Sequence, residues 1–164
     1  MDSSQEQYER TVGDKFIAWY NKNFNKSFHY VSRGTPDLTY QDGRDKIHLE
    51  ITGAYYDQCD ATIKWQNVRD LKNAPKRWSG VNSDDNLIKD INIRIKEKCQ
   101  KSYGNNCILV IYVHPYITSF EELENKLSEI KIPERNPFLK IYLTGDFPVS
   151  TKSKGGYQCW EISN

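Results

Sequence analysis

The sequence predicts an α/β fold, a mixed sheet flanked by helices, on three observations. Apolar residues recur at helical spacing in two long segments. They alternate at strand spacing beside a tight glycine turn. One later run is almost continuously apolar. The signals come in the order helix, three strands, helix, strand, helix, strand. Strands connected partly by a hairpin and partly by a crossover helix make a sheet that is part antiparallel and part parallel.

Tyr8, Val12, Phe16, Trp19 and Tyr20 share one helical face and predict a helix from Tyr8 to Asn23, with Ser3 and Ser4 as candidate caps ahead of it. Phe28 to Ser32 reads as a first strand, closed by Arg33-Gly34-Thr35-Pro36. A hairpin follows. Its arms are Leu38 to Gln41 and Lys46 to Thr52, and Asp42-Gly43-Arg44-Asp45 is the turn. In the second arm Ile47, Leu49 and Ile51 face one way, and His48, Glu50 and Thr52 the other.

The stretch from Gly53 to Asp85 has weak periodicity and reads as an irregular excursion with one short helix near Trp65 to Leu71. Leu87, Ile91, Ile95, Lys98 and Ser102 then define a helix from Asn86 to Tyr103, with Gly104 as its stop. Cys107 to Val113 predicts a buried strand. Ser119-Phe-Glu-Glu resembles a capping box opening a helix to about Ile130. Phe138 to Leu143 reads as a further strand and Tyr157 to Ile162 as a last one.

The 164 residues suit a single domain spanning 1–164, with the excursion at about 53–85 inside it. A hydrophobic fraction of 37% and an aromatic fraction of 13% supply a core and exclude a disordered chain. No apolar run approaches the ~20 residues that span a bilayer, and the polar start Met1-Asp2-Ser3-Ser4-Gln5-Glu6 is not a signal peptide. Cys59, Cys99, Cys107 and Cys159 are scattered without a CxxC pair, which argues against a zinc site and for reduced thiols in a cytoplasmic protein. A net charge of +1 excludes a strongly basic nucleic-acid coat but not a local basic cleft.

The hairpin carries the chemistry. With Gly43 and Arg44 at the centre of the turn, opposing positions sum to 87 and Asp37 stands beside Glu50, at the open end away from the turn. Two adjacent carboxylates repel, and a divalent cation removes that cost. Mg²⁺ takes one or two carboxylates plus water and leaves room for a phosphate. Asp37 alone reads as a turn residue after proline; its register with Glu50 favours the metal reading. Glu50 also runs into Gly53, where a ligand can approach the backbone closely.

Pro36-Asp37 followed by Glu50-Ile51-Thr52 resembles the motif of the PD-(D/E)XK nuclease superfamily, which is restriction-endonuclease-like in fold. The family's core of a helix, a three-strand meander, a helix and a strand corresponds to residues 8 to about 113. The resemblance implies Mg²⁺, with Mn²⁺ as substitute, held by Asp37 and Glu50, and Glu9 on the first helix as a third acidic member. It implies a metal-dependent endonuclease hydrolysing phosphodiester bonds in DNA, with RNA as the alternative, and it admits a homodimer. Glu6, one turn earlier, is an alternative to Glu9, and both have the plain reading of exposed helix residues.

The motif lysine is replaced by Thr52, which carries no charge to stabilise an anionic transition state. Lys98 is the candidate substitute, because it lies on the apolar stripe of the following helix and a buried ammonium needs a partner. Its alternative is a stem laid over the core with its head in water. His48 shares Glu50's face, with a surface histidine as the plainer reading. Lys64, Arg69, Lys72, Lys76, Arg77 and Lys89, with Trp65 and Trp78, form a candidate nucleic-acid-binding surface; the alternative is a solvated excursion whose tryptophans cap the core. The rival to catalysis is a nucleic-acid- or protein-binding module on a degenerate nuclease fold, and a toxin or its inhibitor is a third reading.

Overall fold

The computed structural model describes residues 3–54, 83–113, 120–147 and 156–163. The described elements are α1 (Ser3–Phe24), β1 (His29–Arg33), β2 (Leu38–Asp42), β3 (Asp45–Ala54), α2 (Ser83–Cys99), β4 (Cys107–Val113), α3 (Phe120–Lys126) with a 3₁₀ turn (Leu127–Glu129), β5 (Lys140–Phe147) and β6 (Gly156–Glu161). The predicted helix at residues 65–71 and the candidate cap Ser119 lie outside the described residues.

The six strands form one sheet in sequence order, β1 to β6. β1, β2 and β3 are an antiparallel meander, β3, β4 and β5 run parallel, and β6 returns antiparallel on β5. The expected α/β class and mixed sheet are therefore present. Gly43 takes the positive φ of 59° at the first position of the two-residue turn, and Asp42 pairs with Asp45 across it. Every pair in this hairpin, up to Leu38 with Leu49, sums to 87 as the sequence predicts.

The sheet buries α1 on one face and α2, with Leu123 of α3, on the other. Ile47, Leu49 and Ile51 of β3 turn to one face, with Val12, Phe16 and Ile17 of α1. On the other face Ala54 joins Leu87, Ile91 and Ile95 of α2. β4 explains its unbroken apolar run in the same way. Ile108 and Val110 pack toward α1 while Cys107, Leu109, Ile111 and Val113 pack toward α2. Gly13 lets α1 sit directly on the sheet, since an added Cβ would lie 2.3 Å from Leu38 Cδ1 and 2.8 Å from the Tyr40 hydroxyl. That close approach puts the residue one turn earlier, Glu9, against the sheet.

Several boundaries differ from expectation. α1 begins at least five residues before Tyr8, so Ser3 and Ser4 lie within the helix rather than ahead of it. β3 continues through Gly53 to Ala54, because β4 supplies partners in Tyr112 and Val113 that the sequence pattern of β3 does not reveal. α2 ends at Cys99, not at Tyr103. Ser102 is exposed beyond the helix, and Gly104, with φ 77°, serves the following loop rather than capping α2. β5 spans Lys140–Phe147 instead of starting at Phe138, extended by its pairing with β6 through Gly145, Asp146 and Phe147. Phe138 instead enters the α2-side core from the loop. Among the described residues Cys99, Cys107 and Cys159 are free thiols, and no helix is long and apolar enough to cross a membrane.

Candidate active site

The site lies where β2 stops and β3 goes on. By the hairpin register Ile51 stands opposite Pro36, past the last paired residue of β2. Its amide is taken instead by the Asp37 carboxylate, Oδ2 accepting from Ile51 N at 2.8 Å. The Asp37 carbonyl accepts from Gly34 N at 3.1 Å, which closes the turn from β1. The Asp37 side chain is thus fixed at the strand end by a backbone donor. Among the described residues that amide is its one hydrogen-bond donor.

Glu50, the next position of the same register, is buried on the α2 face of β3, 7% exposed. Lys98, in the last turn of α2, donates from Nζ to Glu50 Oε1 at 2.5 Å. The lysine that the α2 stripe singles out therefore meets the acidic residue that the hairpin singles out, across 48 positions of sequence. Thr52, one pleat on from Glu50, is buried at 9% exposure and brings no charge.

Glu9 approaches from the opposite helix. It is 5% exposed and its carboxylate is fully engaged, with Oε1 accepting from Gln5 at 2.9 Å and Oε2 from Arg33 Nη2 at 2.8 Å. Arg33, at the end of β1, also donates to Glu6 at 2.9 Å. Glu6 and Glu9, offered by the sequence as alternatives, share one guanidinium. Arg33 is a residue the sequence reading missed, because a turn arginine has no local signal that names its partner.

Electrostatics links these groups. The Asp37 carboxyl is pushed from 3.8 up to about 6, first by burial. Glu50 and Glu9 push it further up, while the Ile51 amide and Lys98 pull it down. Both flanking carboxylates are thus close enough to act on Asp37, and Lys98 does not fully offset them.

Tyr103 completes the α2 side. It lies in the loop after α2, is 8% exposed, and its ring rests against Phe138 with centroids 4.8 Å apart. Its hydroxyl is buried and makes no hydrogen bond of ordinary geometry, although Glu50 acts on it as a side-chain hydrogen-bond partner. Burial holds that hydroxyl well above its usual range, and Glu50, Cys107 and Asp37 push in the same direction. Cys107, wholly buried on β4, has its thiol pushed up to about 12 by burial, then Glu50 and Asp37, and is a packing residue.

His48 pairs with Thr39, its Nδ1 2.9 Å from Thr39 Oγ1. Lys64, Arg69, Lys72, Lys76 and Arg77, with Trp65 and Trp78, lie outside the described residues. Lys89 is exposed on α2, along a groove of about 570 Å³ shared with Lys96 and Lys131.

Among the described residues no group of three or more His, Cys, Asp and Glu side chains has metal-holding geometry, so a closed protein cage is absent there. The pair Asp37 and Glu50 suits a hard cation that keeps most of its water. The raised Asp37 carboxyl is a mark of too little positive charge beside it, which such an ion would supply. Comparison of the chain with protein-family models, with curated proteins and with solved structures returned no match.

Proposed function

We propose that the chain is a divalent-cation-dependent endonuclease with a restriction-endonuclease-like fold, hydrolysing phosphodiester bonds in DNA, with RNA as the alternative substrate. The observation that carries this reading is the 2.5 Å contact of Lys98 with Glu50, next to an Asp37 carboxyl that feels both. An acidic pair at the end of a hairpin, faced by a lysine from the next helix, is the charge arrangement that phosphoryl chemistry needs.

Asp37 and Glu50 would hold Mg²⁺, or Mn²⁺ in its place. Such an ion, when bound, lowers the pKa of water and offsets charge on the phosphate. The Ile51 amide keeps Asp37 in one orientation. Lys98 holds Glu50 at rest and, once released, carries its positive charge to the phosphate, the task Thr52 cannot perform. Glu9 becomes a third acidic ligand only if Arg33 and Gln5 release it. The basic residues Lys64, Arg69, Lys72 and Arg77 are assigned to nucleic-acid binding, and a homodimer to double-strand cutting.

The test is incubation of the protein with plasmid, single-stranded DNA and RNA in Mg²⁺ and in Mn²⁺, with an EDTA control. Cleavage that EDTA abolishes supports the proposal, and no cleavage under any condition overturns it. A second reading, a binding module without catalysis, is favoured by Lys98 being committed to Glu50 while position 52 lacks a lysine. It predicts nucleic-acid or protein binding that neither EDTA nor Glu50→Gln alters.

A further inference from the structure

Lys98 cannot serve two partners at once. If it leaves Glu50 for a phosphate, a carboxylate only 7% exposed loses its sole ion-pair partner among the described residues. The cation would take up one Glu50 oxygen, and the other, buried, then calls for a hydrogen-bond donor in place of Lys98. The buried side-chain polar atoms without a hydrogen bond, among the described residues, are on Arg94, Tyr103, Thr144 and Tyr157. Of these Tyr103 belongs to the loop that follows Lys98, and it shares the α2-side core with Leu109, the β4 partner of Glu50.

We infer that Tyr103 is a positioning residue of the cation site, its hydroxyl donating to the Glu50 carboxylate when Lys98 is drawn away. The inference rests on the nuclease reading of Asp37, Glu50 and Lys98. The ring rests against Phe138, and Glu50 already acts on the hydroxyl as a side-chain hydrogen-bond partner. A phenol is protonated at neutral pH, so it can donate to Glu50. The group acts through Glu50 and touches neither substrate nor reacting atoms.

Tyr103→Phe removes the oxygen and keeps the ring, and in EDTA it should unfold at the same temperature as wild type or higher, because no buried hydroxyl is left unbonded. Calorimetric titration of the full chain with Mn²⁺ should then show affinity lowered about fivefold. In cleavage assays at saturating Mn²⁺ kcat should fall about fivefold, with KM for nucleic acid unchanged. Packing loss alone would lower the unfolding temperature and leave this split absent. Mn²⁺ affinity and kcat at the wild-type level in Tyr103→Phe, with binding abolished in Asp37→Asn, overturn the role of Tyr103 and leave the site standing. A wild-type protein that takes up no Mn²⁺ overturns both.

Discussion

Two buried carboxylates flank Asp37, and they are held in different ways. Glu9, from α1, is gripped by the fork of Arg33 and by Gln5, and the same fork reaches Glu6. Glu50, from β3, is held by the single ammonium of Lys98. Their side chains are almost equally buried, 7% and 9% exposed, so burial does not distinguish them. The cation does. A guanidinium is planar, makes parallel bonds and stays in place, whereas an ammonium on a flexible stem is a point charge that can be moved. On the proposed nuclease reading, the α1 side is scaffolding and the α2 side carries the chemistry.

The largest effect that could break this contrast is loss of cleavage. Asp37→Asn and Glu50→Gln should each lower kcat/KM at least about a thousandfold, ~4 kcal/mol of transition-state stabilisation, in a metal-dependent assay. Both changes keep an oxygen that accepts a hydrogen bond, so circular dichroism should report an intact fold. Wild-type rates in either variant would remove the site.

Glu9→Gln should do the reverse. It weakens hydrogen bonds to a buried charged group, so stability in urea should fall by about 1–3 kcal/mol while cleavage stays within about threefold of wild type. A thousandfold loss of activity without loss of stability would make Glu9 a metal ligand and collapse the distinction.

Lys98→Met keeps the apolar stem and deletes the charge. Cleavage should fall by about tenfold or more, ~1.4 kcal/mol, and Thr52→Lys in the same chain should restore part of it. Undiminished cleavage by Lys98→Met would show that the ammonium only neutralises Glu50.

What the sequence makes legible follows from local rules. A two-residue turn with glycine leaves one register, and that register, extended one step past Leu38 and Leu49, sets Asp37 beside Glu50. Helical periodicity marks Lys98, because the residue sits three positions after Ile95 on the buried stripe. Tyr103 is not legible. The periodicity that marks Lys98 runs on past Cys99, so Tyr103 reads as a helical residue, whereas the chain leaves the helix and turns its ring into the core. Arg33 is hidden for another reason, since its partners Glu6 and Glu9 lie 27 and 24 residues away. The strand ends of β3 and β5 depend on the partners β4 and β6, which local pattern does not encode.

The smallest effect concerns Asp37 itself and its pH dependence. Its carboxyl is raised from 3.8 to about 6, so the folded chain binds this proton more tightly than the unfolded chain. Below pH 3.8 both states are protonated and the group costs nothing. Between pH 3.8 and about 6 the unfolded state ionises first, and stability falls as pH rises. Above pH 6 the penalty is complete, on the order of 1 kcal/mol once partial exposure is allowed for. Asparagine carries no such charge and can still accept from the Ile51 amide. In urea titrations with EDTA, Asp37→Asn should therefore match wild type near pH 4 and exceed it by about 1 kcal/mol at pH 8. Mg²⁺ should raise the unfolding temperature of wild type at pH 8 and not that of Asp37→Asn, because a bound cation favours the ionised carboxylate that the variant lacks. A variant no more stable than wild type at pH 8 would mean that Asp37 is already neutralised, and the crowding of Asp37 between Glu9 and Glu50 would no longer argue for a cation.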